Sequence, residues 1–147
     1  MSRDQLALVQ DLAERQEKEA ANRLGSAQSQ VDVAQGQLNQ MMDYRSSYYR
    51  LATGAGGDVI DTSQLQTARH FLSQLDTIVG RQQKTVGQAE LVLDQQRTAW
   101  IETKRRLNAI KNLRASRDHA RFRQDEKVIQ RLLDELHATQ IFFAEAR

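Results

Sequence analysis

The sequence predicts an all-α fold: a long antiparallel two-helix coiled-coil hairpin with an overhanging C-terminal helix. Three observations predict it. No proline occurs in 147 residues, and each interior proline would cost a helix about 3 kcal/mol. Two long stretches space their apolar or small residues alternately three and four apart, the coiled-coil signature. Between them lies one break, Thr53-Gly54-Ala55-Gly56-Gly57-Asp58-Val59-Ile60-Asp61-Thr62, which holds three of the seven glycines. Glycine reaches backbone conformations that other residues avoid, so a helix can stop and reverse there.

The first arm carries the seam Leu6, Val9, Ala13, Gln16, Ala20, Leu24, Ala27, Val31, Ala34, Leu38, Met41, Arg45, Tyr48, Ala52. Two steps of four meet at Ala20, a stutter that locally relaxes the supercoil. Gly25 and Gly36 cost about 1 kcal/mol each relative to alanine without ending the helix. After the break, Asp61, Thr62 and Ser63 offer side-chain oxygens as caps, and Ser63 to Gln66 has capping-box spacing. The second arm repeats the pattern: Leu65, Ala68, Leu72, Leu75, Val79, Gln82, Val86, Ala89, Leu93, Gln96, Trp100, Thr103, Leu107, Ile110.

Matching periods joined by a short turn favour an antiparallel pair. Facing Ala52 with Leu65 sets Leu6 opposite Leu107–Ile110, so the first helix is used up near residue 113. The residues beyond have no partner in the hairpin. There a stripe at Phe122, Ile129, Leu136 and Phe143, seven apart, runs beside Leu132, Leu133, Ile141 and Phe142. Such a stripe on an unpaired helix is an unsatisfied surface. The expected organisation is a single coiled-coil domain over 1–147, with helix one about 3–52, a turn at 53–62 and helix two about 63–145.

Composition narrows the function. Hydrophobic residues make up 39% and aromatics only 5%, which suits a narrow interhelical seam better than a globular core. With no cysteine, disulfides and thiolate metal sites are excluded. No apolar run approaches the roughly 20 residues that span a bilayer, and Met1-Ser2-Arg3-Asp4-Gln5 lacks an apolar signal segment. The expectation is a soluble cytoplasmic protein without direct membrane insertion.

Motifs of catalysis are missing. Gly54-Ala55-Gly56-Gly57 is followed by Asp58-Val59, not by the Lys-Ser/Thr pair of a phosphate-binding loop. His70, His119 and His137 are far apart and form no i, i+4 pair suited to a metal. Asp11, Glu14 and Glu17 are placed on exposed helix faces, where solvation leaves carboxylates ordinary, and a catalytic acid needs a cleft that perturbs it. The expectation is no enzyme, no cofactor and no metal.

Two surface features stand out. Residues 1–62 hold six basic and nine acidic side chains, whereas residues 104–131 hold ten basic and three acidic. The basic run Lys104, Arg105, Arg106, Lys111, Arg114, Arg117, Arg121, Arg123, Lys127, Arg131 fits a solvated helix, an acidic protein partner or nucleic acid. The second feature is aromatic. Tyr44, Tyr48, Tyr49 and Phe71 are four of the eight aromatic residues, and the register sets Tyr48 opposite Ala68 and Phe71 opposite Tyr44–Arg45. A seam takes one tyrosine but not all of these, and clustered tyrosine favours a binding surface.

Several of these residues resemble a known family. Leu6, Val9, Asp11-Leu12-Ala13-Glu14, Glu19-Ala20-Ala21 and Leu24-Gly25 are similar to the opening pattern of the flagellar FliJ family. Gln37-Leu38, Met41, Asp43-Tyr44 and Tyr48 resemble the end of its first helix. Phe71-Leu72 and Leu75 resemble the start of its second, and Trp100 with Leu107 a later seam. The resemblance covers about residues 5–110.

It implies a cytoplasmic, non-enzymatic component of the flagellar type III protein export apparatus, peripherally associated with the cytoplasmic side of the cell membrane at the flagellar base. It further implies a stalk-like coiled coil that promotes assembly and activity of the hexameric flagellar export ATPase. That stalk would couple the ATPase to the cytoplasmic domain of the membrane export gate and bind export chaperones. The positions implied for export-gate binding are Gln37, Met41, Tyr44, Tyr48, Phe71, Leu75, Ile78 and Gln82. Ile78 stands where a small residue is usual, and Gln82 where relatives have histidine. Those assigned to the ATPase are Leu6, Val9, Arg117, Arg121, Phe122, Ile129 and Leu136. The alternatives are a coiled-coil adaptor of a virulence type III secretion system and a basic nucleic-acid-associated coiled coil, although no nucleic acid is expected as a partner.

Overall fold

The computed structural model describes residues 2–54 and 61–145, with side chains at all of these except 139, 140 and 142–144. It contains two α-helices, α1 (Arg3–Thr53) and α2 (Thr62–Glu145), and no strand among the described residues. Residues 55–60 of the expected turn, and the side chains of Phe142 and Phe143 in the expected stripe, lie outside what is described.

Each helix end follows from local chemistry. The Gln5 amide donates to Ser2 Oγ at 3.2 Å, and the Ser2 amide donates to Gln5 Oε1 at 2.9 Å. That reciprocal pair is a capping box, which satisfies two backbone donors a helix start leaves open. At the end of α1, Gly54 takes φ +70°, and its amide donates to the Leu51 carbonyl at 3.4 Å. A left-handed residue just past the last turn lets the chain leave the helix, and glycine adopts it without a Cβ penalty. Helix α2 starts on Asp61, whose Oδ1 accepts the Gln64 amide at 2.7 Å. Of the three cap candidates Asp61, Thr62 and Ser63, the chain uses Asp61 with Gln64, not the Ser63–Gln66 spacing. The Ser63 carbonyl already lies inside the helix and accepts from Thr67 Oγ1.

Contacts divide the chain into two compact units, residues 16–103 and residues 1–15 with 104–147. In the 16–103 unit the two helices run antiparallel, because contacts from later α1 positions reach earlier α2 positions. Glu17 meets Trp100, Ala34 meets Gln82, Arg45 meets Asp76 and Tyr48 meets Phe71. Ala20, Ala27, Ala34, Leu38 and Ala52 of α1 are buried with Ala68, Leu75, Val79, Val86 and Leu93 of α2. Ala34, Leu38, Val79 and Val86 form its core, with Met41 packed against them. In the other unit Leu6 and Ala13 are buried with Leu107, and Val9 and Ile110 are half-buried. Every seam position named from the sequence is buried or half-buried.

Glu17–Trp100 and Ala34–Gln82 keep the predicted levels, whereas Tyr48–Phe71 and Arg45–Asp76 reach further along α2. Tyr48 meets Phe71 rather than Ala68. The cause is the tilt of side chains toward the N-terminus of their own helix, which in an antiparallel pair shifts contacts to higher-numbered partners. Glu14 and Glu17 also depart from expectation, being half-buried rather than exposed. They sit at the edges of the seam, where Glu14 Oε1 accepts from Gln10 Nε2 at 3.0 Å and Glu17 Oε1 accepts from the Trp100 indole Nε1–H at 3.0 Å.

Gly36 lies inside α1, and a Cβ built on it meets nothing within 4 Å. Gly36→Ala should therefore stabilise the protein by about 0.5–1 kcal/mol. Thermal unfolding followed by circular dichroism checks this; an unchanged or lowered midpoint would contradict it.

Candidate protein-interaction site

One flank of the 16–103 unit gathers most residues proposed from the sequence for the export gate. Seven residues apart on α2, Phe71 and Ile78 run beside the seam and are exposed. Facing them, the Tyr48 ring lies 4.6 Å from that of Phe71 at an interplanar angle of 51°, a tilted contact of the kind aromatic rings favour. Further along, Gln82 Nε2 donates to the Ala34 carbonyl at 2.9 Å and to Gln37 Oε1 at 3.2 Å. A polar seam residue satisfied across the interface helps fix the register.

The remaining members are placed differently. Tyr44 is 64% exposed and carries most of its ring to solvent, whereas Leu75 is only 8% exposed. Met41 packs into the core. Leu75 and Met41 thus support the flank from beneath more than they form it.

The opposite flank holds a groove of about 550 Å³ that sequence reasoning missed, lined by Met42, Asp43, Arg45, Ser46, Tyr49, Leu72 and Asp76. Its signal was available, since Met42 and Tyr49 stand seven apart beside the seam. Arg45, expected as an odd cation in the seam, leans out to Asp76 at 3.5 Å. At 39% and 59% side-chain exposure, this pair contributes at most about 1 kcal/mol.

In the unit made of 1–15 and 104–147, Leu6 lines a small hollow with Arg3, Arg114, Arg117, Asp118 and Arg121. Arg114 Nη1 donates to Gln10 Oε1 at 2.8 Å. Four guanidinium groups around one carboxylate make this a strongly positive locus. From Ala115 to Ala138 every residue is exposed. Phe122, Ile129, Leu132, Leu133 and Leu136 stand bare at 55–64%. Of the residues proposed for the ATPase, Leu6 is buried and Val9 half-buried, while Arg117, Arg121, Phe122, Ile129 and Leu136 are exposed. His70, His119 and His137 are also exposed.

Geometry of this kind defines an all-α two-helix coiled coil whose unusual residues lie on open helix flanks. The model of the family described as Flagellar FliJ protein matches residues 1–147. Two relatives bearing that same name, from Escherichia coli (strain K12) and Salmonella typhi, are each 25% identical over 130 residues, 88% of this chain and 88% of their own length. No solved structure matches the chain. The chain belongs to the flagellar FliJ family, and is a component of the flagellar protein export apparatus. Among the described residues no helix is long and apolar enough to cross a membrane.

The Tyr48–Phe71 contact is testable by itself. A double-mutant cycle with Tyr48→Ala and Phe71→Ala should return a coupling energy of about 0.5–1.5 kcal/mol. Additive losses in denaturant unfolding would mean that the rings do not support each other.

Proposed function

We propose that this protein is the stalk-like coupler of the flagellar export apparatus. It promotes assembly and activity of the hexameric export ATPase, contacts the cytoplasmic domain of the membrane export gate and binds export chaperones. The observation that carries the proposal is the bare stretch of α2 from Phe122 to Leu136 next to the arginine-rich hollow around Leu6. Apolar side chains so exposed on a helix call for a partner. Neighbouring guanidinium groups suit carboxylates on that partner, because they make short, charge-assisted and often bidentate hydrogen bonds. Arg117, Arg121, Phe122, Ile129 and Leu136 are the residues we assign to the ATPase, with Leu6 and Val9 supporting them.

For the gate we assign the aromatic flank, with Tyr44, Tyr48, Phe71, Ile78, Gln37 and Gln82 at the surface and Met41 and Leu75 beneath. Work at the cytoplasmic face of the membrane follows from these two partners, and the protein takes part without a catalytic group of its own. The match to a flagellar family favours this reading over an adaptor of a virulence secretion system.

ATP hydrolysis by the cognate export ATPase should rise when the protein is added, together with the fraction sedimenting as hexamer. Truncation after Arg121 leaves the residues that meet Arg3 and Leu6 in place and should abolish most of the stimulation. Full stimulation by the truncated chain would remove the stripe from the contact. Tyr44→Ala should weaken binding to the gate domain in a titration by about tenfold, the effect of one exposed aromatic hot spot, with helicity unchanged. Unaltered gate affinity would refute the assignment of the aromatic flank.

A further inference from the structure

The bare stripe on α2 has a self-complementary pattern, and we propose that in the free protein it pairs with the same stripe of a second copy, antiparallel. Phe122, Ile129, Leu132, Leu133 and Leu136 are each more than half exposed, and no described residue of α1 lies alongside them, since α1 begins at Arg3. Their spacing continues a heptad pattern, with Ile129, Leu132 and Leu136 at steps of three and four, so a second helix can take them as knobs and holes.

A two-fold axis between Leu132 and Leu133 makes the pattern match itself. Leu132 of one copy then lies level with Leu133 of the other, and Ile129 with Leu136. Both copies use one surface, as a closed two-fold dimer requires.

Charge chooses the direction. Residues 117–131 carry five basic and three acidic side chains, whereas residues 132–145 carry three acidic and no lysine or arginine. An antiparallel pair lays the basic half of each copy over the acidic half of the other. A parallel pair would lay like over like. Asp125 sharpens the choice, because it lies in line with the stripe, three residues after Phe122 and four before Ile129. Parallel helices would set the two Asp125 carboxylates against each other in the seam, where like charges repel in low dielectric. The antiparallel register separates them by about 22 Å, fifteen residues of helical rise. Self-association of this kind stands whether or not the same face later meets the ATPase.

The absence of cysteine allows a direct test on the full chain. Leu132→Cys places a thiol next to the axis and within reach of its own copy. Phe122→Cys places it about 31 Å from its copy by helical rise. Under mild oxidation, Leu132→Cys should give a disulfide-linked dimer on a non-reducing gel and Phe122→Cys should not. Light scattering of the unsubstituted protein should rise with concentration from the mass of one chain, 16.8 kDa, toward twice that value. Ile129→Glu should return it to one chain. Cross-linking of both variants would establish a parallel pair and overturn the proposal. No cross-linking of Leu132→Cys, or a mass fixed at one chain at all concentrations, would overturn it as well.

Discussion

Everything in this fold depends on how closely α1 approaches α2, and alanine sets that distance. Ala13, Ala20, Ala27 and Ala34 recur every seven residues on α1 and are all buried. They face a second helix whose buried positions are mostly larger: Leu75, Val79, Val86, Leu93 and Leu107. Small residues on one side and branched ones on the other allow close packing with little side-chain entropy to lose. The cost is a thin apolar seam. An alanine buries little area, so the transfer free energy per turn is modest, and polar and aromatic groups at and beside the seam help to hold the register. Gln82 on the Ala34 carbonyl, Trp100 on Glu17 and the Tyr48–Phe71 rings serve that purpose. Each ties a specific α1 position to a specific α2 position.

A thin seam has a second consequence. Bulky apolar residues that a globular core would absorb remain outside, on the flanks. Tyr44, Tyr49, Phe71 and Ile78 surround the seam without entering it, and among the described residues Phe122, Ile129 and Leu136 have no second helix alongside. Large exposed apolar side chains grouped in this way mark interaction surfaces. The proposed interaction surfaces are therefore what a narrow seam cannot accommodate, and both follow from one pattern of small and large residues.

Much of this was legible in the sequence. Heptad spacing assigned every seam position, because a long helix pair has one buried stripe and its period is visible without tertiary information. The bare stripe from Phe122 was legible from the same count, since α1 runs out of residues first. Two features were not. The cap at Asp61 competed with Ser63 two residues on, and spacing alone does not say which residue stays outside the first turn. The contact of Tyr48 with Phe71 depended on side-chain tilt, which a register counted in backbone levels omits. The groove is different, because Met42 and Tyr49 stand seven apart beside the seam and the sequence carries its signal. The helix turns Tyr49 about 100° from Tyr48, onto the other flank. The spacing of Ser2 and Gln5 likewise carries the signal of the capping box that forms there.

Stability and interaction are separable to different degrees at the two kinds of surface. On the aromatic flank, Tyr48 and Phe71 hold the register while they present ring area, so a substitution there acts on folding and on the proposed binding together. Tyr44 is the exception, being exposed and outside the ring contact. Phe122, Ile129, Leu132, Leu133 and Leu136 are exposed beyond the seam, so substitutions there act on whatever the stripe meets, leaving the seam intact. A helix of this length without a neighbour gains stability chiefly from packing its apolar face against a partner, since propensity alone is marginal in water. Any partner of the stripe, whether a second copy or another protein, therefore both binds it and rigidifies it, and its affinity includes the entropy of ordering that helix.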